Sequence, residues 1–286
     1  GRNGSLRAPL ALRAAELVDS GPDAEPCFAR RLQFALDAGE EVTYTIVLGE
    51  ACGEDELRRL LDLYSDHREI ERQKQQAIAF WREGLSAVRV HTPCAELDRL
   101  VNGWLPYQAL SCRLWARTAL YQSSGAYGFR DQLQDAGNLA LLWPGLARQQ
   151  ILLHAAHQFE EGDVMHWWHG APTEAGLRTR ITDDLLWLPF VVAGYVRQTG
   201  DAAILDEPVP FLAARPLDKG EDDRYLRAEP ASTASLFEHC CRALDRCLAH
   251  GEHGLPLMGG GDWNDGMNRV GRQGRGESVW LGFFLL

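Results

Sequence analysis

The sequence predicts a mainly α-helical fold: a toroid of inner and outer helices, preceded by a short β-rich region. Three observations carry this. From Glu54 onward apolar residues recur at helical spacing, whereas before residue 50 they alternate with period two. The connections 161–182 and 213–231 are long and rich in aromatic or charged residues, unlike the short turns of a plain bundle.

In chain order, Leu32–Leu36 and Val42–Leu48 alternate on either side of Asp37-Ala38-Gly39-Glu40, the pattern of a half-buried antiparallel hairpin. Two strands do not make a stable sheet, so further strands are expected around them. Glu54–Glu83 reads as a long amphipathic helix or a helix pair, with Arg68, Glu69, Glu71, Arg72 and Lys74 on a solvated face. Helices follow at Cys94–Tyr121 (kinked at Pro106), Asp131–Trp143, Pro144–Glu160, Asp183–Thr199, Ala202–Leu212 and Ser232–His250. Pro144 opens its helix where a missing N–H costs nothing. The apolar run Leu185–Val196 predicts a buried helix, too short for a bilayer, and no strand of comparable strength is expected beyond Thr92. Glu277–Leu286 reads as the opening of another buried helix, so the 286 residues are expected to be a piece of a longer protein.

The chain is long enough to bury a large core, as one domain or two. Its net charge of −11 argues against a nucleic-acid partner, because a phosphate backbone attracts a basic face. Seven cysteines without a Cys-x-x-Cys predict reduced thiols in a cytoplasmic protein. His154 with His157, or His166 with His169, have a spacing compatible with metal ligands. No matching cysteine or acidic cluster completes either site, so no metal is expected.

The densest chemistry lies in Gly259-Gly260-Gly261-Asp262-Trp263-Asn264-Asp265-Gly266-Met267-Asn268. Glycines let a backbone approach a ligand, an indole offers a flat face to a sugar ring, and Asp and Asn bond hydroxyls. An Asp beside an indole also suits a general acid. A polar turn, with Asp and Asn binding neighbouring backbone groups, accounts for the same composition.

Four motifs in order resemble the inverting phosphorylases of glycoside hydrolase family 94. They are Gly128-Phe129-Arg130-Asp131-Gln132-Leu133-Gln134-Asp135, Glu161 to His169, Thr179 to Pro189, and the Asp-Trp-Asn-Asp loop. Gly1-Arg2-Asn3-Gly4-Ser5 and the stretch from Tyr127 to Asp135 are most similar to the branch of cyclic β-1,2-glucan synthases and 1,2-β-oligoglucan phosphorylases. The resemblance implies the C-terminal strands of a β-sandwich over 1–52, a helical linker over 53–90, and the first half of an (α/α)6 barrel over 91–286. It implies reversible phosphorolysis of β-1,2-glucans with inversion, releasing α-glucose 1-phosphate. Inorganic phosphate is the co-substrate, and no cofactor is implied. The partners expected are a β-linked glucan or oligosaccharide, phosphate or glucose 1-phosphate, and the remaining barrel half and sandwich of a parent chain. A homodimer, and a parent held at the cytoplasmic face of the inner membrane, stay open.

By match to the family motif, Asp265 is the general acid, with Asp262 bracing the turn and Asn264 supporting it. Trp263 would face the donor glucose, or pack in the core. Arg130 and Asp131 would hold donor hydroxyls, or form an ion pair opening a helix. Gln134 and Asp135 would support that segment. Asp183 and Asp184 would bind hydroxyls or cap their helix. Arg178 and Arg180 would line the acceptor side or be solvated. His166, Trp167 and Trp168 would stack on glucose or be buried in the barrel.

Two departures from the family qualify this. Gly125 stands where cellobiose-type members place an arginine, and the family's phosphate-binding histidine and Thr/Ser-Gly loop have no match here. Residues 1–286 alone are therefore expected to be inactive. The competing readings are an inverting hydrolase on the same barrel, which requires a second carboxylate, and a non-catalytic carbohydrate-binding region of a larger synthase.

Overall fold

The computed structural model describes the backbone of residues 4–5 and 8–9 and, in full, residues 31–117 and 124–286. The chain divides into two compact units, Gly1–Gln73 and Lys74–Leu286.

In the first unit, β1 (Gly4–Ser5) pairs antiparallel with β2 (Ala8–Pro9). The expected hairpin over residues 32–48 forms its turn but not its strands. Gly39 takes φ 86°, and the Glu40 N–H donates to the Asp37 carbonyl at 3.0 Å. The Phe34 and Tyr44 rings lie 5.6 Å apart across the turn. No ladder joins the flanking residues, and Phe34, Ile46 and Leu48 are exposed. The reason is physical: a two-stranded ribbon is not stable without further strands or a packed face, and none pairs with it among the described residues. The helix pair is present as α1 (Glu54–Leu63) and α2 (His67–Ser86), whose residues from Lys74 onward belong to the second unit. Glu54, Asp55 and Glu56 crowd the positive end of α1. Asp66 Oδ1 accepts the Arg68 N–H at 2.9 Å, capping the start of α2.

The second unit is mainly helical with small sheets. The predicted Cys94–Tyr121 helix is one run over the described residues: α3 (Ala95–Arg99), a π-helical turn Leu100–Trp104, α4 (Leu105–Gln108) and a second π-helical turn Ala109–Trp115. Residues 118–121 lie outside the described residues. Pro106 therefore falls between two widened turns rather than at a break, the usual way a helix absorbs a missing N–H. Leu110 and Leu114 pack with Phe80, Trp81, Leu85, Leu139 and Trp143. Gly84 is needed there, because a Cβ would come within 2.1 Å of the Trp143 ring.

Then come α5 (Phe129–Leu139), α6 (Pro144–Ala155), α7 (Asp183–Thr199) and α8 (Leu236–Cys247). Pro144 opens α6 and Gly200, with φ 75°, closes α7 in the left-handed conformation. Phe129, Leu133, Ile151, Leu188, Val191 and Leu236 from these four helices share one core. None of the described helices is long and apolar enough to cross a membrane.

Strands that the sequence did not announce connect these helices. β3 (Tyr127–Gly128), β4 (Met165–His169), β5 (Ala175–Thr179) and β7 (Asp223–Leu226) form an antiparallel sheet in that order. β6 (Pro208–Ala213) pairs with β8 (Glu229–Ser235). Two expected helices are shortened as a result. Ala202–Leu212 is a 3₁₀ turn, Ala202–Asp206, followed by β6, because Pro208 and Pro210 cannot continue a helix. Ser232 lies in β8, and α8 starts after Ser235, whose side chain accepts the Glu238 N–H. After α8 come the short α9 (Asn268–Gly271) and α10 (Val279–Leu285). Leu281 of α10 joins Leu185, Leu186 and Met258 in a second cluster.

Candidate active site

The glycine triplet clasps the loop 259–268 to the backbone that leads into α7. Gly260 N–H donates to the Arg180 carbonyl at 2.7 Å, and Thr182 N–H donates to the Gly261 carbonyl at 3.0 Å. At Gly259, with φ 61°, a Cβ would stand 2.0 Å from the Arg180 carbonyl oxygen, so only glycine fits. This clasp sets the Asp-Trp-Asn-Asp segment beside the first turn of α7, where Asp183 and Asp184 begin the helix.

Within the loop, Asp262 and Asn264 are occupied in shaping it. Asp262 Oδ1 accepts the Asn264 N–H at 3.0 Å, and Asp262 Oδ2 accepts the Ser278 hydroxyl at 2.6 Å. Asn264 Oδ1 accepts the Gly266 N–H at 3.1 Å. The Asp265 carboxylate is instead aimed at Arg130 on the first turn of α5, whose Nη2 donates to both its oxygens at 2.8 and 2.9 Å.

Arg130 is the hub. Its Nη1 donates to the two Asp183 oxygens at 3.2 and 3.3 Å and to the Asp262 carbonyl at 3.3 Å. Its guanidinium lies 4.9 Å from the centre of the Trp263 ring, a cation–π contact. Trp187 Nε1–H donates to Asp183 Oδ2 at 3.2 Å. His166, on β4, shares a hydrogen bond of 2.8 Å through Nδ1 with Asp184 Oδ2, and its Nε2 stands 3.9 Å from Asp265 Oδ2.

The electrostatics follow from this crowding. Burial and the Asp184 charge push the Asp183 carboxyl up, with Arg130 pulling the other way. Burial disfavours a charged His166, but the charges of Asp184 and Asp265 outweigh it and raise the imidazole to about 9. Burial likewise opposes the Arg130 charge, and the three carboxylates overcome it, so the guanidinium stays ionised. Asp183 and Asp184 are fully buried, while the Asp265 side chain is 49% exposed. The site is thus a buried ionic floor with one accessible carboxyl group at its edge and a half-open indole beside it.

A model of the glycosyl hydrolase 94 superfamily catalytic domain matches residues 80–286, and one of that family's supersandwich domain matches residues 1–67. The chain belongs to glycosyl hydrolase family 94. It is 47% identical over 290 residues to the cyclic beta-(1,2)-glucan synthase NdvB of Rhizobium meliloti, covering 100% of this chain and 10% of that protein. It is 32% identical over 253 residues to solabiose phosphorylase of Paenibacillus borealis, covering 88% and 29%. A 1,2-beta-oligoglucan phosphorylase of Listeria innocua is 27% identical over 190 residues, covering 63% and 16%. The chain spans less than a third of the length of each of these relatives.

In this family 94 chain, Asp265, Arg130, Asp183, Asp184, His166 and Trp263 are brought together, with Asp262 and Asn264 beneath them. Asp131 is half-buried in the first turn of α5. Gln134 donates to the Arg130 carbonyl at 3.3 Å, and Asp135 accepts from Arg113 Nε at 2.5 Å, tying α5 to the preceding helix. Trp168 is not at the site. Its ring stacks on His157 at 3.8 Å and on Tyr127 at 5.2 Å inside the core, so it has no open face for a sugar. Arg180 turns away as well. It donates to the carbonyls of Leu217, Asp218 and Glu221, bracing the wall of a separate cavity of about 650 Å³. Arg178 is buried on Asp163 and Glu161. The sequence reading missed Trp187 and Ser278. Trp187 was within reach of inference, since it follows Asp183 by one helical turn. Nothing local pointed to Ser278.

Proposed function

We propose that this chain carries the proton-donating half of an inverting β-glucoside phosphorylase site that acts on β-1,2-glucans, within a longer protein. The observation that carries the reading is Asp265: it is the one accessible carboxyl of a cluster whose other members are buried and bound. Beside it Trp263, 46% exposed, offers an open indole to a pyranose. In the forward reaction Asp265 protonates the oxygen leaving the anomeric carbon, while phosphate attacks that carbon from the opposite face. The product is α-glucose 1-phosphate and a glucan shorter by one unit. In reverse, the carboxylate takes the proton from the acceptor hydroxyl. Arg130, anchored by the buried Asp183, would hold the acid in place.

Phosphorolysis over hydrolysis is supported by the phosphorylases among the relatives and by the lack, among the described residues, of a second accessible carboxylate at this cluster. An inverting hydrolase requires a second carboxylate with room for a water. Asp183 and Asp184 are sealed in and bonded to Arg130, Trp187 and His166. Phosphate is already an anionic nucleophile, so a single acid suffices. The β-1,2 linkage is supported by the likeness, over the whole of this chain, to a tenth of a cyclic glucan synthase and by the match to a 1,2-beta-oligoglucan phosphorylase. We take the helical unit to be part of an (α/α)6 barrel whose remaining elements supply the phosphate site.

The test is incubation of the full-length protein with β-1,2-gluco-oligosaccharides, with and without phosphate. Glucose 1-phosphate should accumulate only with phosphate, and Asp265→Asn should lower its rate by about 10³-fold while substrate still binds. Phosphate-independent release of free glucose, or turnover unchanged in the variant, would overturn the proposal.

A further inference from the structure

His166 is held from one side and aimed at the other. Its Nδ1 meets Asp184 Oδ2 at 2.8 Å, and Asp184 is fully buried in the first turn of α7. The acceptor there is a carboxylate oxygen, so Nδ1 carries the proton and donates it. With that edge pinned, the ring plane is set, and Nε2 points toward Asp265 Oδ2 at 3.9 Å. The gap is wider than a hydrogen bond by about 1 Å, a distance that a small rotation of the half-exposed Asp265 would close. Asp265 already accepts two bonds from Arg130 on the side of α5. The charged groups acting on His166 are therefore Asp184 from α7, Asp265 from the loop and Arg130 from α5.

Resting on the reading of Asp265 as the acid, we propose that His166 is a positioning residue for it: clamped by Asp184, the ring presents Nε2–H to the carboxylate left behind when the proton has gone to the sugar oxygen. The proton that reaches the sugar oxygen comes from Asp265, which is reprotonated from solvent before the next phosphorolysis. Asp265 loses its O–H to the leaving oxygen, and its new negative charge is then shared between the Arg130 guanidinium and the His166 ring. In the reverse direction the carboxylate regains the proton from the acceptor hydroxyl and the Nε2–H contact slackens. His166 itself transfers nothing. Its role is to hold still the charge that develops in the transition state. The role needs a protonated ring, and the surplus of carboxylates supplies it, keeping the imidazolium up to a pH of about 9.

The experiment is the pH dependence of kcat and KM for phosphorolysis of β-1,2-gluco-oligosaccharides by the full-length protein. In the unmodified protein kcat should fall on a basic limb as the ring loses its proton. His166→Gln should lower kcat by about 100-fold with KM changed less than about threefold, and the ionisation near pH 9 should vanish from the profile. Asp184→Asn removes the anion that keeps the ring charged, so the limb should move down by about one pH unit or more. Asp265→Asn separates the two readings. If it turns over normally, the acid assignment fails and takes this inference with it. If it is inactive while His166→Gln keeps kcat within about twofold or changes only KM, the inference alone is wrong. Should His166→Gln not fold, as judged by its thermal melt, Asp184→Asn decides. An unmoved limb there, or no ionisation at all between about pH 8 and 10 in the unmodified protein, overturns it.

Discussion

Arg178 and Arg130 both lie buried in the second unit, and both answer more than one carboxylate. Arg178, on β5, is fully engaged. Its Nε and Nη2 donate to the two Asp163 oxygens at 2.7 Å each, Nη2 also reaches Glu161 at 3.0 Å, and Nη1 donates to the Ala214 carbonyl. Its flat face rests 3.8 Å from the centre of the Phe159 ring. Arg130 serves a more loosely closed cluster. Three carboxylates surround it with only His166 as a second cation, its own Nε has no partner, and neither has Asp184 Oδ1. A satisfied network rigidifies a fold, whereas buried polar atoms left without partners are held at a cost to stability. Of the two arginines only Arg130 keeps such an atom, and it is also the one that holds the accessible Asp265 carboxyl, which sets it apart from the fully engaged Arg178.

The largest effect should come from breaking the closed network. Arg178→Ala leaves Asp163 buried without its cation, which typically costs about 3–5 kcal/mol. Thermal melts of the variant should show a collapse of stability. A midpoint near that of the unmodified protein would mean that the cluster is closer to water than its geometry indicates.

Next is Arg130→Lys. An ammonium cannot fork between Asp183 and Asp265, so turnover should fall by about 100-fold, with the melt displaced much less than in Arg178→Ala. Were stability to drop as far as in Arg178→Ala, the contrast between the two arginines would dissolve. Gly259→Ala probes the clasp beneath the site: the new methyl would meet the Arg180 carbonyl in a left-handed backbone, pushing the loop off α7. A loss of about 10-fold or more in kcat is expected, with KM rising as Trp263 is displaced.

How much of this was legible follows the range of the signals. α7 could be read to the residue, because Asp183 and Asp184 open it, an apolar run fills it and Gly200 ends it, all within one segment. The loop around Asp265 announced itself by composition. The small sheet did not, because Met165-His166-Trp167-Trp168-His169 shows no alternation of apolar and polar residues and is a strand only through its neighbours. The hairpin over residues 32–48 failed in the opposite sense. Alternation tells which face would be buried, not whether anything covers it. Trp168 was misplaced for a related reason: its ring is covered by His157 and Tyr127, from the residues just after α6 and from β3. The contact between His166 and Asp184 joins a strand to a helix, and no periodicity reports such a contact.

The smallest effect concerns histidines and again opposes a closed interior to the site. Burial pushes His154 down to about 3 and His157 down to about 4, so both are neutral in the core, while His166 is raised to about 9. The sign differs accordingly. Below the ordinary imidazole value of about 6.5 the unfolded chain binds protons that His154 and His157 refuse, so stability falls as the pH drops. The raised Asp183 works against them in that range, but His239, also pushed down by burial, adds to them, so three groups oppose one. For His166 the folded state holds the extra proton. Its contribution is complete below about 6.5 and is lost as the pH rises toward 9. The thermal midpoint should therefore decline on both sides of neutrality. His157→Asn should flatten the acid side and leave the alkaline side, and His166→Gln should do the reverse. If one substitution flattened both sides, the two histidine environments would be coupled, and the division between core and site drawn from the arginines would not extend to them.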